Sequence, residues 1–197
     1  MLGHNELMMR PKPGSLGLAV PGHVGGVLDD DGNELAAGEV GQIAFKRPDP
    51  VMLLEYWNSP EATAAKFAGD WLLTGDLGTR DEEGYFWYRS RADDVITSAG
   101  YRIGPGEIEE ALVRHPAVRL AAVIGVPDPV RTESIKAFLV LAEGYRPSPA
   151  LESEIRDHVK TRLARHEYPR DIEFVESLPT TTTGKIMRRE LRDRERR

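Results

Sequence analysis

At 197 residues the chain is long enough for one domain or two small ones, and 40% hydrophobic against 29% charged residues is an ordinary balance for a soluble protein with a core. The absence of cysteine excludes disulfides, thiolate metal sites and thiol catalysis. No apolar run reaches membrane-spanning length, the first residues lack a signal-peptide pattern, and a net charge of −6 argues against general nucleic-acid binding. A cytoplasmic protein without membrane or nucleic-acid partners is therefore expected.

In chain order, residues 11–26 are rich in Gly and Pro and read as loop. Strands are predicted over 24–28 and 40–46, around the turn composition Asp29-Asp30-Asp31-Gly32-Asn33. Ser59-Pro60-Glu61 predicts a side-chain-capped helix running to residue 68. Strands over 71–74 and 85–89 are predicted to flank the turn Asp81-Glu82-Glu83-Gly84, with Trp57, Trp71 and Trp87 as core or strand aromatics. Gly104-Pro105 opens a helix carrying Ile108, Ala111, Leu112 and His115 on one face, ended by Pro116. Strands over 118–126 and 135–142 follow, then a helix from Ser148-Pro149 with Leu151, Ile155, Val159 and Leu163 at helical spacing, a strand over 172–175 and a helix over 187–194. The fold class predicted is α+β: a β-rich first part with one helix, a boundary near Arg91-Ala92-Asp93, and a second part with helices on the faces of a sheet.

Several short motifs carry possible chemistry. In Thr74-Gly75-Asp76 the glycine permits close backbone approach, and the Asp76 carboxylate can accept from both hydroxyls of a ribose; an Asp capping its own turn is the plainer alternative. Arg91 can donate to the same sugar hydroxyls or form an exposed ion pair with Asp93 or Asp94. Asp93 suits a hinge or a simple turn, being short, polar and tolerant of unusual backbone angles. Ser98-Ala99-Gly100-Tyr101-Arg102 is a loop past which a narrow ligand can run, with Arg102 able to meet phosphate, or else a hairpin with an ordinary turn glycine. Glu107 and Glu109 read as first-turn helix residues rather than an acid–base pair.

Lys185 follows four threonines and Gly184, a flexible polar turn ahead of a basic helix. Its ammonium can reach a carboxylate and a phosphate together, or simply be solvated. The helix itself, with Arg188, Arg189, Arg192, Arg194, Arg196 and Arg197, reads as a solvated terminal helix whose basic end suits the helix dipole. The five histidines show no metal-ligand spacing, no metal site is predicted, and no Walker loop is present.

Leu73-Thr74-Gly75-Asp76, Arg89-Ser90-Arg91-Ala92-Asp93-Asp94-Val95-Ile96, Ser98-Ala99-Gly100-Tyr101-Arg102-Ile103 with Glu107-Ile108-Glu109, and Thr183-Gly184-Lys185-Ile186 stand in an informative order and spacing. Together they resemble the C-terminal part of the adenylate-forming acyl-CoA synthetases, especially the acetyl- and medium-chain branch. Pro13-Gly14-Ser15-Leu16-Gly17, Gly38-Glu39-Val40-Gly41-Gln42-Ile43, Gly84-Tyr85-Phe86-Trp87-Tyr88 and Tyr168-Pro169-Arg170 look like further landmarks, so the resemblance covers nearly the whole chain.

The resemblance implies ATP/AMP and CoA as substrates, with a carboxylic acid adenylated first and then transferred to CoA after rotation of a small domain. Carried over by position, it implies Asp76, Arg91 and Arg102 as nucleotide-binding, Asp93 as the hinge, Ala99, Gly100 and Tyr101 as CoA-binding, and Lys185 as catalytic in adenylation. Ser90 stands where the family commonly has glycine, which implies a mild effect at most.

The family's phosphate loop and its Thr-Glu motif do not occur in the sequence, so the Mg2+ expected for the full enzyme has its ligand outside this chain. The resemblance therefore implies that 1–91 is the last, barrel-like β-rich piece of the large domain, 92–93 the hinge, and 94–197 the complete lid domain. Alone the chain is expected to be inactive, its partners being the acid, ATP, CoA and an N-terminal portion. The alternative is a non-catalytic CoA- or nucleotide-binding, or protein-docking, module.

Overall fold

Two units make up this computed structural model, Met1–Asp93 and Asp94–Arg197; the structure describes residues 1–4 and 9–196, so Arg197 lies outside the described residues. In the first unit β1 (Leu2–Gly3) and β2 (Leu18–Ala19) form a two-stranded ribbon. A second sheet holds β3 (Gly25–Leu28), β4 (Gly41–Lys46), β5 (Phe67–Ala68), β6 (Trp71–Arg80) and β7 (Phe86–Arg91). It is antiparallel throughout, in the order β3-β4-β6-β5, with β7 also on β6. The long β6 is shared end to end: Trp71 and Leu72 pair with β5, and residues 76–80 pair with β7. Its core is Val27, Ile43, Phe45 and Phe86.

Helix α1 (Pro60–Ala64) is shorter than predicted. The Ser59 side chain makes no capping bond, and no α1 residue is buried, so nothing tertiary stabilises a marginal helix. The residues predicted to continue it, Phe67 and Ala68, instead pair with Leu72 and Trp71. Trp57 is 84% exposed and belongs to no core.

The second unit begins with a short 3-10 turn over Ala92–Asp94, shared with the first. β8 (Ile96–Ser98), β9 (Tyr101–Ile103), β10 (Val118–Asp128), β11 (Thr132–Leu141) and β12 (Asp171–Phe174) form one sheet, with β12 parallel to β11 and the rest antiparallel. Strand alternation divides the buried residues of β10 and β11 between two faces. Ala121, Val123, Ile135, Ala137 and Leu139 pack with Ile108 and Leu112 of α2 (Pro105–Val113) and with Ile155 and Val159 of α3 (Pro149–Lys160). Ala122, Ile124, Phe138 and Val140 pack with Leu178 and with Leu191 of α4 (Arg188–Glu195). The mixed strand-and-helix architecture is the α+β class expected from the sequence.

Helix α3 starts at Ser148-Pro149 as predicted, and Ser148 caps it, accepting from the Leu151 N–H at 3.2 Å. His115 and Leu163 fall beyond the ends of α2 and α3. His115 is nevertheless buried, its ring edge-on to His158 with centroids 4.9 Å apart.

Burial holds the His158 imidazole below its ordinary value of 6.5, and the positive charge of Arg162 and of His115 adds to this; Glu154 and a hydrogen bond to the Ala111 carbonyl act the other way. Its Nε2 has no partner among the described residues. A histidine held neutral in the folded state contributes stability above its unfolded value, and that stability is lost as pH falls below about 6.5 towards the folded value. Urea unfolding of the second unit should therefore show a steeper loss between about pH 7 and pH 5 in the native sequence than in His158→Gln. Equal slopes would show that His158 is not the group responsible.

Candidate functional site

The Thr74-Gly75-Asp76 motif lies inside β6, not where a strand enters a turn. Opposite it the register with β4 jumps from Gln42↔Leu77 to Ala44↔Leu73, so three residues of β6 face Ile43 alone. Thr74 Oγ1 donates to the Ile43 carbonyl at 2.7 Å and accepts from the Asp76 N–H at 3.1 Å, which closes the irregularity locally. Gly75 has φ +80°, and a Cβ there would stand 2.9 Å from Arg91 Nη2. Glycine is thus required twice, for the backbone angle and for room beneath the guanidinium.

Across the β6–β7 pair, Asp76 is in register with Arg91. Arg91 Nη1 donates to Asp76 Oδ1 at 2.8 Å, and its Nε donates to Asp93 Oδ1 at 3.3 Å. Arg91 thus makes the expected ion pair with Asp93 and bridges that carboxylate to Asp76. Burial disfavours its charge, but the bonds to Asp76 and Asp93 outweigh this and hold it above its ordinary value. Asp76 and Arg91 are both part-exposed, and Asp76 Oδ2 accepts no hydrogen bond among the described residues. A carboxylate oxygen beside a fixed guanidinium is suited to a vicinal diol.

Residues 98–101 form a hairpin rather than an open loop. β8 and β9 pair through Ser98↔Tyr101, leaving Ala99 and Gly100 as a two-residue turn with φ +50° and +85°. Positive φ at both positions is the type I′ geometry that fits the twist of a hairpin. Ala99 is unusual there, and two contacts hold it: its N–H donates to the Arg131 carbonyl at 2.9 Å, and Ser98 pairs with Thr132. Below, Glu133 accepts from the Thr97 N–H at 2.7 Å. Gly125 makes space for that carboxylate, since a Cβ there would lie 2.7 Å from it.

A Cβ on Gly100 would meet nothing within 4 Å, so this tip is open. Tyr101 stacks on His166 with centroids 3.9 Å apart and planes 14° from parallel. Arg102, exposed on β9, lies opposite Thr97.

Lys185 sits on a hydrogen-bonded turn. Thr180 bridges to Ile186, the Thr181 N–H donates to the Lys185 carbonyl at 2.8 Å, and the Lys185 N–H donates to Thr181 Oγ1 at 3.1 Å. Gly184, at φ +80°, donates to the Thr181 carbonyl at 2.9 Å. The Lys185 side chain is exposed, with no ion pair among the described residues.

The predicted residues thus gather in three places: Asp76, Arg91 and Asp93 in the first unit, residues 99–102 on one hairpin, and Lys185 on its own turn. Among the described residues no group of three or more His, Cys, Asp or Glu side chains could hold a metal ion.

The solvated reading of the terminal helix is also corrected. Arg188 and Arg192 turn inward to Asp94 and Glu109, and Leu191 is buried between them. Glu109 is accordingly no first-turn residue: it pairs with Arg188 and accepts from the Val123 N–H at 2.9 Å. At the far end of α4, Glu195 pairs with the buried Lys136 at 2.8 Å, and Arg194 pairs with Glu173. The sequence reading missed Asp94, Arg188, Arg192 and Glu133. The available signal was two arginines four apart with Leu191 between them, a spacing that places all three on one helix face.

Residues 107–185 match the family described as the AMP-binding enzyme C-terminal domain. The chain is 50% identical over 189 residues to the acetyl-coenzyme A synthetase of Bacillus subtilis (strain 168), covering 95% of this chain and 33% of that protein. It is 46% identical over 202 residues to a mitochondrial acyl-coenzyme A synthetase of Homo sapiens, covering 99% and 34%. Among solved structures, the anthranilate CoA ligase AuaEII in complex with anthranoyl-AMP superposes with a TM-score of 0.82 at 40% identity, over 94% of this chain and 36% of that one. The ATP-bound RpMatB-BxBclM chimera B1 gives 0.84 at 38%, over 92% and 36%.

The matched family and these similarities support a likeness to the C-terminal part of the adenylate-forming enzymes. Over nearly its whole length the chain is similar to acyl-CoA synthetases, and it spans about a third of the length of the curated relatives it matches.

Proposed function

We propose that this chain contributes the C-terminal part of an ATP-dependent acyl-CoA synthetase. In such an enzyme a carboxylic acid and ATP give an acyl-adenylate and pyrophosphate, and CoA then displaces AMP to give the thioester. Residues 1–91 would complete the nucleotide-holding domain, 92–93 would form the hinge, and 94–197 would be the lid.

The observation that carries this reading is the exposed ammonium of Lys185, without an ion pair among the described residues, on a turn closed by three hydrogen bonds. A cation carried on a shaped turn can stabilise charge developing between an attacking carboxylate and the α-phosphate. Asp76 would accept from the ribose hydroxyls while Arg91 fixes its orientation. Arg102 would meet phosphate. Ala99, Gly100 and Tyr101 would border the pantetheine arm of CoA, which the open space over Gly100 suits. Asp93, bonded to Arg91 and exposed, would be the pivot between the two half-reactions. Mg2+ would be held by groups outside the described residues. The relatives' printed names include acetyl-coenzyme A synthetase and anthranilate CoA ligase, so a carboxylic acid is the substrate class proposed.

The test is to join this chain to the N-terminal portion of the Bacillus subtilis relative and assay pyrophosphate release and acyl-CoA formation over a series of carboxylic acids. Restoration of both reactions is expected. A folded fusion that binds CoA or AMP yet releases no pyrophosphate with any acid would instead favour the non-catalytic binding module.

A further inference from the structure

Three residues after Lys185, Arg188 is tied to groups far from it in sequence. Asp94, the first residue after the proposed hinge, is only 9% exposed and receives two arginines. Arg188 Nη1 donates to its Oδ2 at 2.9 Å, and Arg192 Nη1 donates to its Oδ1 at 3.0 Å. The remaining edge of Arg188 closes on Glu109: Nε donates to Oε1 at 3.0 Å and Nη2 to Oε2 at 2.6 Å, a fork-to-fork pair. Glu109 is itself tied to the β10 backbone through the Val123 N–H. Two cations and two carboxylates balance, so the network is neutral overall. Burial disfavours the Arg188 charge, but Glu109 and Asp94 outweigh this and hold it above its ordinary value.

Arg188 stands three residues after Lys185, and the intervening segment has little slack. Ile186 packs against the α4 side of the sheet, and the Met187 N–H donates to the Pro179 carbonyl at 2.9 Å. One guanidinium therefore clamps together the residue after the hinge, helix α2 and the base of the lysine turn.

We infer that Arg188, gripped by Glu109 and Asp94, is a positioning residue for Lys185, making the lysine turn and the hinge exit a single rigid arm. This rests on the adenylation role proposed above for Lys185. Any rotation of the backbone at Asp93 then carries the ammonium with it, rather than being absorbed in the stretch between them. Lysine at 188 would keep the charge but lose the fork, since an ammonium cannot face two carboxylates with the same fixed geometry.

The first arm of the test uses this chain as it stands. Amide hydrogen exchange across residues 181–187 should speed up about tenfold in Arg188→Lys, while the β10–β11 amides change less than about twofold. Asp94→Asn should act in the same direction, and it serves as the readout if the first variant does not fold.

The second arm uses the reassembled enzyme, where a misplaced group costs rate rather than affinity. In Arg188→Lys, kcat for adenylation should fall about tenfold to a hundredfold with KM for ATP unchanged, and thioester formation from supplied acyl-adenylate should stay within about twofold. Unchanged exchange at 181–187 in both variants overturns the inference, and so does an equal fall in both half-reactions. If the native fusion itself shows no adenylation, the synthetase reading fails separately, and the exchange arm still decides whether Arg188 fixes the lysine turn.

Discussion

Lys185→Ala in the reassembled enzyme is expected to slow adenylation by about 10²–10³, the scale of removing one preorganised electrostatic contact to a transition state. Formation of the thioester from supplied acyl-adenylate should be nearly unaffected, because that step has no carboxylate attacking an α-phosphate. The structure makes the comparison clean. The Lys185 side chain is exposed and carries no ion pair among the described residues, and the bonds that shape its turn use its backbone. Alanine therefore removes the ammonium and leaves the turn standing, so the thermal midpoint should not move. Pyrophosphate release measured against thioester formation gives the ratio. Equal losses in the two would assign Lys185 to the shared architecture rather than to the first chemical step.

Gly75→Val is expected to produce the largest combined loss of stability and nucleotide binding. A β-branched residue at φ +80° costs about 1–3 kcal/mol from the backbone alone. Its Cβ would also press on Arg91 Nη2 at 2.9 Å and push the guanidinium off Asp76. KM for ATP in the reassembled enzyme should rise by about tenfold or more, since the ribose would meet a disordered pair. Gly144→Val is the matched control. Gly144 has φ +89°, but a Cβ there meets nothing within 4 Å. It should show the backbone cost in urea unfolding without the change in KM. An unchanged KM in Gly75→Val would remove Asp76 and Arg91 from the proposed ribose site.

Local rules carried most of the second unit. Ser148-Pro149 signalled its helix because a cap and a fixed φ act within four residues. The runs over 118–126 and 135–142 signalled β10 and β11 because both faces of those strands are buried. Rules of that range failed where the deciding partner was distant. Ser59 and Pro60 promised a full helix, but helix length follows packing, and α1 buries nothing. Thr74-Gly75-Asp76 resembled a turn because glycine and aspartate are common in turns, whereas the structure uses them to bulge a central strand against Ile43.

The site was legible in the same uneven way. Arg91 was read as able to pair with Asp93, two residues away, and it does so. The Arg188 network was not legible, since its carboxylates lie 79 and 94 residues earlier and charge pattern alone marks such a helix as solvated. The threonine run was read as flexible from its composition, because hydroxyl-to-backbone bonds such as Lys185 N–H to Thr181 Oγ1 have no signature in composition.

Neighbouring residues of β11 answer to different layers: Ala137 and Leu139 face α2 and α3, while Phe138 and Val140 face Leu178 and α4. Drift in sequence can therefore proceed on two separate ledgers. Exchange of one aliphatic residue for another beneath α2 and α3 alters how firmly the unit folds, and it leaves the seat of the terminal helix as it was. A change of shape at Phe138, fully buried, would be felt in the bearing of the terminal helix as well as in stability.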